Sequence, residues 1–100
     1  MDLSPLAYLV AGFLLGNGMP HFIFGSAKRV FKSPFGQRSK PEVNVLWGLA
    51  NFIVASGIVA TEIYWKNANG LSIVFILAGF WMAVLMFGFS MERFLGRRVE

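Results

Sequence analysis

The side chains best placed to do chemistry in this 100-residue sequence are Asn17 and His21, which lie inside a long apolar stretch near the N-terminus. Being four residues apart, they share one face of a helix. Inside an apolar helix, an amide and an imidazole can serve four purposes: binding a solute, relaying a proton, holding a metal or haem, or forming a hydrogen bond to a neighbouring helix. The chain has one histidine and no cysteine, so one copy cannot build a multi-histidine or cysteine-based metal centre, and we expect no cofactor.

A second set of small and polar residues recurs at spacings of three and four positions in the next apolar stretch, and so marks one helix face. The set is Asn44, Gly48, Asn51 and Ala55. Asn17 and Asn51 each lie about eight residues, or about 12 Å, from the same end of their stretches. We therefore predict that the first two helices pack along this face, where Gly48 allows close approach. Asn17, His21 and Asn51 are then expected to bond across the interface.

On the same arithmetic, His21 falls level with Trp47 or Gly48, and Asn44 falls near the lipid headgroups. Two interpretations of this polar seam stay open, namely hydrogen-bonded packing of two helices or a ligand site formed between them. The predicted seam consists of Asn17, His21, Asn44, Trp47 and Asn51.

The composition indicates what surrounds these side chains. Apolar residues make up 56% of the chain and charged residues 14%, whereas soluble domains carry roughly 25% charged residues. Three apolar stretches each approach the ~20 residues that a helix needs to cross a bilayer, and too little chain remains to cover them. We predict an all-α fold in one domain, residues 1–100, built as a three-helix transmembrane hairpin bundle. Its helices are expected at about 5–32, 43–65 and 71–95.

Pro20 interrupts the first helix. Because proline has no amide hydrogen, the carbonyl of Gly16 loses its helical partner, and we predict a continuous helix with a kink at Pro20. A full break would leave too few residues before Gly16 to cross the bilayer. We interpret this stretch as a retained helix and not as a cleaved signal peptide, because the first five residues carry Asp2 and no basic residue.

Basic residues gather on one side of the predicted bundle. Of the nine lysines and arginines, only Lys66 lies in the turn between the second and third stretches. The others are Lys28, Arg29, Lys32, Arg38, Lys40, Arg93, Arg97 and Arg98. The positive-inside rule then puts the N-terminus outside and the C-terminus in the cytoplasm of a bacterial inner membrane. Lys28, Arg29 and Lys32, on the expected extension of the first helix, either set this topology alone or also contact anionic lipid headgroups.

At the opposite side, Glu62 is level with Tyr8, and the two mark the outer mouth of any polar path. Glu62 is too far from His21 to form a catalytic pair within one chain. The short turn that ends at Gly70 makes the second and third helices an antiparallel hairpin. Small residues four apart in the first and third helices favour close packing between copies of the chain, namely Gly12, Gly16, Gly79 and Ala83.

Three segments are similar to recurring pieces of short bacterial integral membrane proteins of unassigned function. They are Asn17-Gly18-Met19-Pro20-His21-Phe22, Ser33-Pro34-Phe35-Gly36 and Asn44-Val45-Leu46-Trp47-Gly48. The resemblance implies a membrane protein and supplies no activity. The proline-glutamine pair of three-helix half-transporters and the early intramembrane glutamate of small multidrug exporters are both missing from the sequence.

The sequence carries no phosphate-binding loop, nucleophile elbow or paired carboxylates, so we expect no enzyme. We expect no nucleic-acid partner either, because membrane topology accounts for the net charge of +4. The favoured hypothesis is a non-catalytic accessory or assembly module, working as a homo-oligomer or beside a larger membrane partner. The alternative is a small homo-oligomeric transporter or channel whose polar site lies between the first two helices.

Overall fold

Three long helices make up most of the computed structural model, which describes residues 3–94. Helix α1 spans Ser4–Ser26, α2 spans Pro41–Tyr64 and α3 spans Gly70–Phe94. Each is long and apolar enough to cross a membrane, so the all-α, three-helix prediction is confirmed and the chain is a multi-pass membrane protein. The predicted end of the third helix at 95, and the basic residues Arg97 and Arg98, lie outside the described residues.

Helix α1 runs without a break through Pro20, as predicted. A second proline, Pro5, lies in its first turn, where the missing amide hydrogen removes no helical bond. The continuous helix keeps Asn17 and His21 on one face, one turn apart, and both residues face the rest of the bundle.

The predicted continuation of the first helix to residue 32 is wrong, because α1 ends at Ser26. Lys28 adopts a left-handed backbone conformation with φ of 63°. Its amide bonds to the carbonyl of Gly25, and the amide of Arg29 bonds to that of Phe24 at 2.8 Å. These two bonds form a Schellman motif, which satisfies the last helical carbonyls and turns the chain away from the helix axis.

The redirected chain forms a small antiparallel hairpin of β1 (Phe31–Ser33) and β2 (Gly36–Ser39). Its turn is the Pro34-Phe35 pair, within the segment where the sequence indicates a turn. The hydroxyls of Ser33 and Ser39 bond to each other between the strands. Phe31 is fully buried, so the hairpin closes the end of the bundle from which Lys28 and Arg29 project.

Caps are recognisable at both ends of α2 and at the start of α3. Pro41 opens α2 with Glu42 in its first turn, and a second Schellman motif centred on Lys66, with φ of 59°, ends it. At the start of α3, the side chain of Asn69 accepts a bond from the amide of Leu71, and Ser72 Oγ accepts one from the amide of Asn69. This reciprocal pair is a capping box.

Helix α1 is the centre of the bundle, and α2 and α3 pack on it while hardly touching each other. Ser4 of α1 bonds to Glu62 near the end of α2, so these two helices are antiparallel. Gly12 meets Ile76 and Gly16 meets Ala83, so α1 and α3 are parallel. The short turn therefore joins α2 and α3 in opposite directions as predicted, but their direct packing, which the sequence suggested, is not found.

Glycines bring the backbones of α1 and its neighbours into contact. A Cβ atom on Gly48 would lie 2.8 Å from the carbonyl oxygen of Gly18, so the α1–α2 contact requires glycine, as predicted. A Cβ on Gly12 or Gly79 would run into the carbonyl of Ile76 or Leu9 respectively. The small residues of the first and third helices thus serve contacts within one chain, and they no longer argue for contacts between copies.

Candidate functional site

Asn17 and Asn51 join α1 to α2 near the middle of the predicted polar seam. Asn17 Nδ2 donates to Asn51 Oδ1 at 3.0 Å, and Asn51 Nδ2 donates to the carbonyl of Trp47 at 2.8 Å. The prediction that these two side chains bond across the interface is confirmed. Asn17 remains half-buried, so one of its amide hydrogens and its carbonyl oxygen are left for another partner.

Replacing Asn51 with leucine is expected to lower the free energy of unfolding by about 1–2 kcal/mol, because the interhelical bond is lost and the Asn17 amide loses its partner. Unfolding in detergent measures the change. Ser56→Leu, which adds the same side chain to an exposed position of α2, is the matched control and should leave stability unchanged. Equal stability of the wild type and both variants would contradict the role assigned to this pair.

His21 bonds to Asn44 and not to Asn51, which corrects the predicted partner. His21 Nδ1 lies 2.7 Å from Asn44 Oδ1, while Asn44 Nδ2 donates to the carbonyl of Phe31 at 2.7 Å. Since the amide nitrogen of Asn44 is engaged as a donor, its oxygen must accept, and His21 Nδ1 therefore carries a proton. Nε2 of the ring has no hydrogen bond within residues 3–94.

Asn44 is fully buried within the protein. The reason is the hairpin, which covers this end of α2 and offers the amide the carbonyls of Phe31 and, at 3.4 Å, Ser39. A helical continuation of α1 would have left Asn44 open. One side chain thus connects α1, α2 and the hairpin.

Aromatic rings surround the imidazole of His21. The rings of Phe31, Trp47 and Phe87 all meet it edge-on, with centroids 5.0, 6.5 and 5.9 Å away. The predicted level of Trp47 is confirmed, whereas the contribution of Phe87 from α3 was missed. The presence of an aromatic residue in an apolar helix does not indicate which side chain it will contact. The sequence therefore could not predict the contact between Phe87 and His21.

Next to these rings lies a cavity of about 270 Å³. It is lined by Asn17, His21, Lys32, Ser33, Trp47 and Phe94, together with the turn proline. Trp47 Nε1 is buried and has no hydrogen-bond partner among the described residues. Lys32 lies half-buried with its Nζ 5.5 Å from the centre of the Phe94 ring. The other two predicted headgroup contacts, Lys28 and Arg29, are exposed on the turn after α1.

A separate polar cluster lies at the opposite end of the bundle, where the sequence predicts an outer mouth. Glu62 Oε2 accepts bonds from Ser4 Oγ at 2.7 Å and from Asn67 Nδ2 at 2.9 Å. Tyr8 does not bond to Glu62. The Tyr8 side chain is 2% exposed, and its hydroxyl has no hydrogen-bond partner among the described residues. Tyr8 and Ser72 both line a cavity of about 220 Å³.

Replacing Tyr8 with phenylalanine is expected to leave the free energy of unfolding unchanged or to raise it by up to about 1 kcal/mol, because a buried hydroxyl without a partner costs desolvation energy. Tyr64→Phe, at an exposed position, is the control for loss of a hydroxyl and should have no effect. A loss of about 1 kcal/mol or more in Tyr8→Phe alone would mean that the hydroxyl is satisfied, for instance by water in the adjoining cavity.

The two polar clusters are separated by a layer of small residues. Ala11 lies between Tyr8 and Asn17 on α1, and Ala55 lies between Asn51 and Glu62 on α2. Both alanines are fully buried. Within residues 3–94, no three histidine, aspartate or glutamate side chains come together in a way that could hold a metal ion.

Family models, curated proteins and solved structures contain no match to this chain. The geometry of the two clusters is therefore the basis for any statement about function.

Proposed function

We propose that this multi-pass membrane protein is a non-catalytic accessory or assembly module. The observation that carries the proposal is that four polar side chains inside the membrane-spanning helices bond to each other in pairs within one chain. Asn17 is paired with Asn51, and His21 with Asn44. Side chains engaged in this way rigidify a bundle, whereas a transport path needs polar groups that face a continuous channel.

The outer faces of α2 and α3 support an assembly role. Large apolar side chains are exposed along both helices, and α1 is held between them. They include Leu46, Ile53, Trp81, Leu85 and Phe89. Within a bilayer such faces contact lipid or another membrane helix, so both sides of the bundle remain available for a second copy or a larger partner.

Charge supports the proposed placement in the membrane. Lys28, Arg29 and Lys32 lie on or beside the hairpin, and Arg93 lies in the last turn of α3. By the positive-inside rule this end is cytoplasmic, with the N-terminus outside and the C-terminus inside a bacterial inner membrane. The exposed Lys28 and Arg29 are suited to contact anionic headgroups at that surface.

A small homo-oligomeric transporter or channel is the second candidate, and the cavity beside Asn17 and His21 favours it. Because the layer of Ala11 and Ala55 closes the interior of one chain, a path to the outer cluster at Glu62 requires several copies. The path would then run between chains.

Flux through reconstituted liposomes distinguishes the two functions. The accessory proposal predicts proton, cation and small-solute fluxes equal to those of protein-free liposomes. Flux above this background that is lost in His21→Ala, and retained in the exposed-site control Ser56→Ala, would overturn it. Since His21→Ala also removes a packing contact, Asn17→Ala is tested beside it, and the folding of each variant is checked by circular dichroism.

A further inference from the structure

The geometry points to a binding site for a phosphate anion in the cavity lined by Lys32, Trp47, Asn17 and His21, with the phosphate of a glycerol-type lipid headgroup as its occupant. This inference goes beyond the accessory role and does not depend on it. Four features support it: a cation without an ion pair among the described residues, two neutral donors, one acceptor, and a position at the membrane surface.

Lys32 supplies the positive charge. Its ammonium forms no ion pair among the described residues and lies over the ring of Phe94, 5.5 Å from the ring centre. Lys28 and Arg29, by contrast, are exposed to solvent. Because Lys32 is a half-buried residue and its ammonium has no counter-charge among the described residues, an anion in the adjacent cavity would gain favourable electrostatics.

Two residues that line the same cavity carry neutral donors. The indole nitrogen of Trp47 is buried without a partner in the described part of the chain. Asn17 donates one amide hydrogen to Asn51 and keeps the second. A buried donor without an acceptor is costly, and phosphate oxygens are strong acceptors that would satisfy both groups.

His21 adds selectivity for a phosphate that carries a neighbouring hydroxyl. Because Nδ1 is engaged with Asn44, the neutral ring has Nε2 left as an acceptor. A hydroxyl of a glycerol headgroup is a donor of the required kind. A choline headgroup has no hydroxyl and brings a second positive charge towards Lys32.

The size and position of the cavity favour a headgroup over a whole soluble ligand. Its volume of about 270 Å³ lies at or below the small end of pockets that enclose drug-sized molecules. His21 is five residues before the end of α1 at Ser26, or about 8 Å along the helix. Lys28 and Arg29 lie just beyond that end, at the level where lipid phosphates are found.

Native mass spectrometry of the full chain, released from vesicles that contain phosphatidylglycerol and phosphatidylcholine, tests the site by counting the lipids that stay bound. We expect one phosphatidylglycerol to be retained about tenfold more tightly than phosphatidylcholine. Lys32→Gln and Trp47→Phe should each reduce that preference about fivefold or more. Lys40→Gln removes the same charge from an exposed position that does not line the cavity and is the matched control, which should leave the preference unchanged.

Two further arms separate the possible outcomes. Lys32→Arg keeps the charge and should retain the preference even if Lys32→Gln fails to fold. Inorganic phosphate is added as a competitor: if it displaces the retained lipid, the site belongs to free phosphate, and if it does not, the lipid headgroup is the occupant. Equal retention of both lipids by the wild type, or equal losses in Lys40→Gln and Lys32→Gln, would overturn the inference.

Discussion

Replacing Gly79 with alanine is expected to lower the free energy of unfolding by about 3 kcal/mol, because the new methyl group runs into the carbonyl of Leu9. The obstacle is helix backbone, which cannot move aside as a flexible side chain can. Helices α1 and α3 must therefore separate, and the contact of Phe87 with the ring of His21 is strained as a result. Unfolding in detergent measures the loss.

Gly88→Ala is the matched control for Gly79→Ala. It makes the same substitution in the same helix, at a position where a Cβ atom meets nothing within 4 Å. Because alanine is the better helix former, this variant should be as stable as the wild type or slightly more stable. If Gly79→Ala and Gly88→Ala were equally stable, the close packing of α3 on α1 would be wrong.

Replacing Phe31 with alanine is expected to lower the free energy of unfolding by about 3–5 kcal/mol, the usual range for deleting a fully buried aromatic ring. The ring of Phe31 packs between those of His21, Phe24 and Phe94, so its loss opens a cavity beneath all three helices. The backbone of Phe31 also accepts the bond from Asn44, which is weakened when the hairpin shifts. Both losses act on the same end of the bundle.

Phe35→Ala, at the exposed tip of the same hairpin, is the control and should cost less than about 1 kcal/mol. Limited proteolysis provides a second readout, since only Phe31→Ala should make the hairpin a faster site of cleavage. Equal stability losses in the two variants would show that the hairpin is not anchored by Phe31.

The three helices could be predicted from the sequence because long apolar stretches leave few alternatives. The bond between Asn17 and Asn51 followed from equal depth in two antiparallel helices, and this estimate held because both residues lie far from the helix ends. The partner of His21 was missed because it lies near an end, where the path of the connecting chain decides which groups are close.

Neither the hairpin nor the central position of α1 could be predicted from the sequence, and the reasons differ. The turn at Lys28 uses a left-handed conformation that is usually marked by glycine, so a lysine there gives no signal of the helix end. Gly12 and Gly79 indicate that their helices pack closely against another helix, but they do not indicate which one. A small-residue face looks the same whether it meets another helix of the chain or a second copy.

The central claim is that the chain crosses the bilayer three times, which places the hairpin and the turn between α2 and α3 on opposite sides. The sequence contains no cysteine, so a single cysteine introduced at the exposed position Gln37 or Ala68 would be the only thiol of the protein that a maleimide can label. In intact cells, a membrane-impermeant maleimide should label Ala68→Cys at once and Gln37→Cys only after permeabilisation. Labelling of both positions from the same side would contradict the claim.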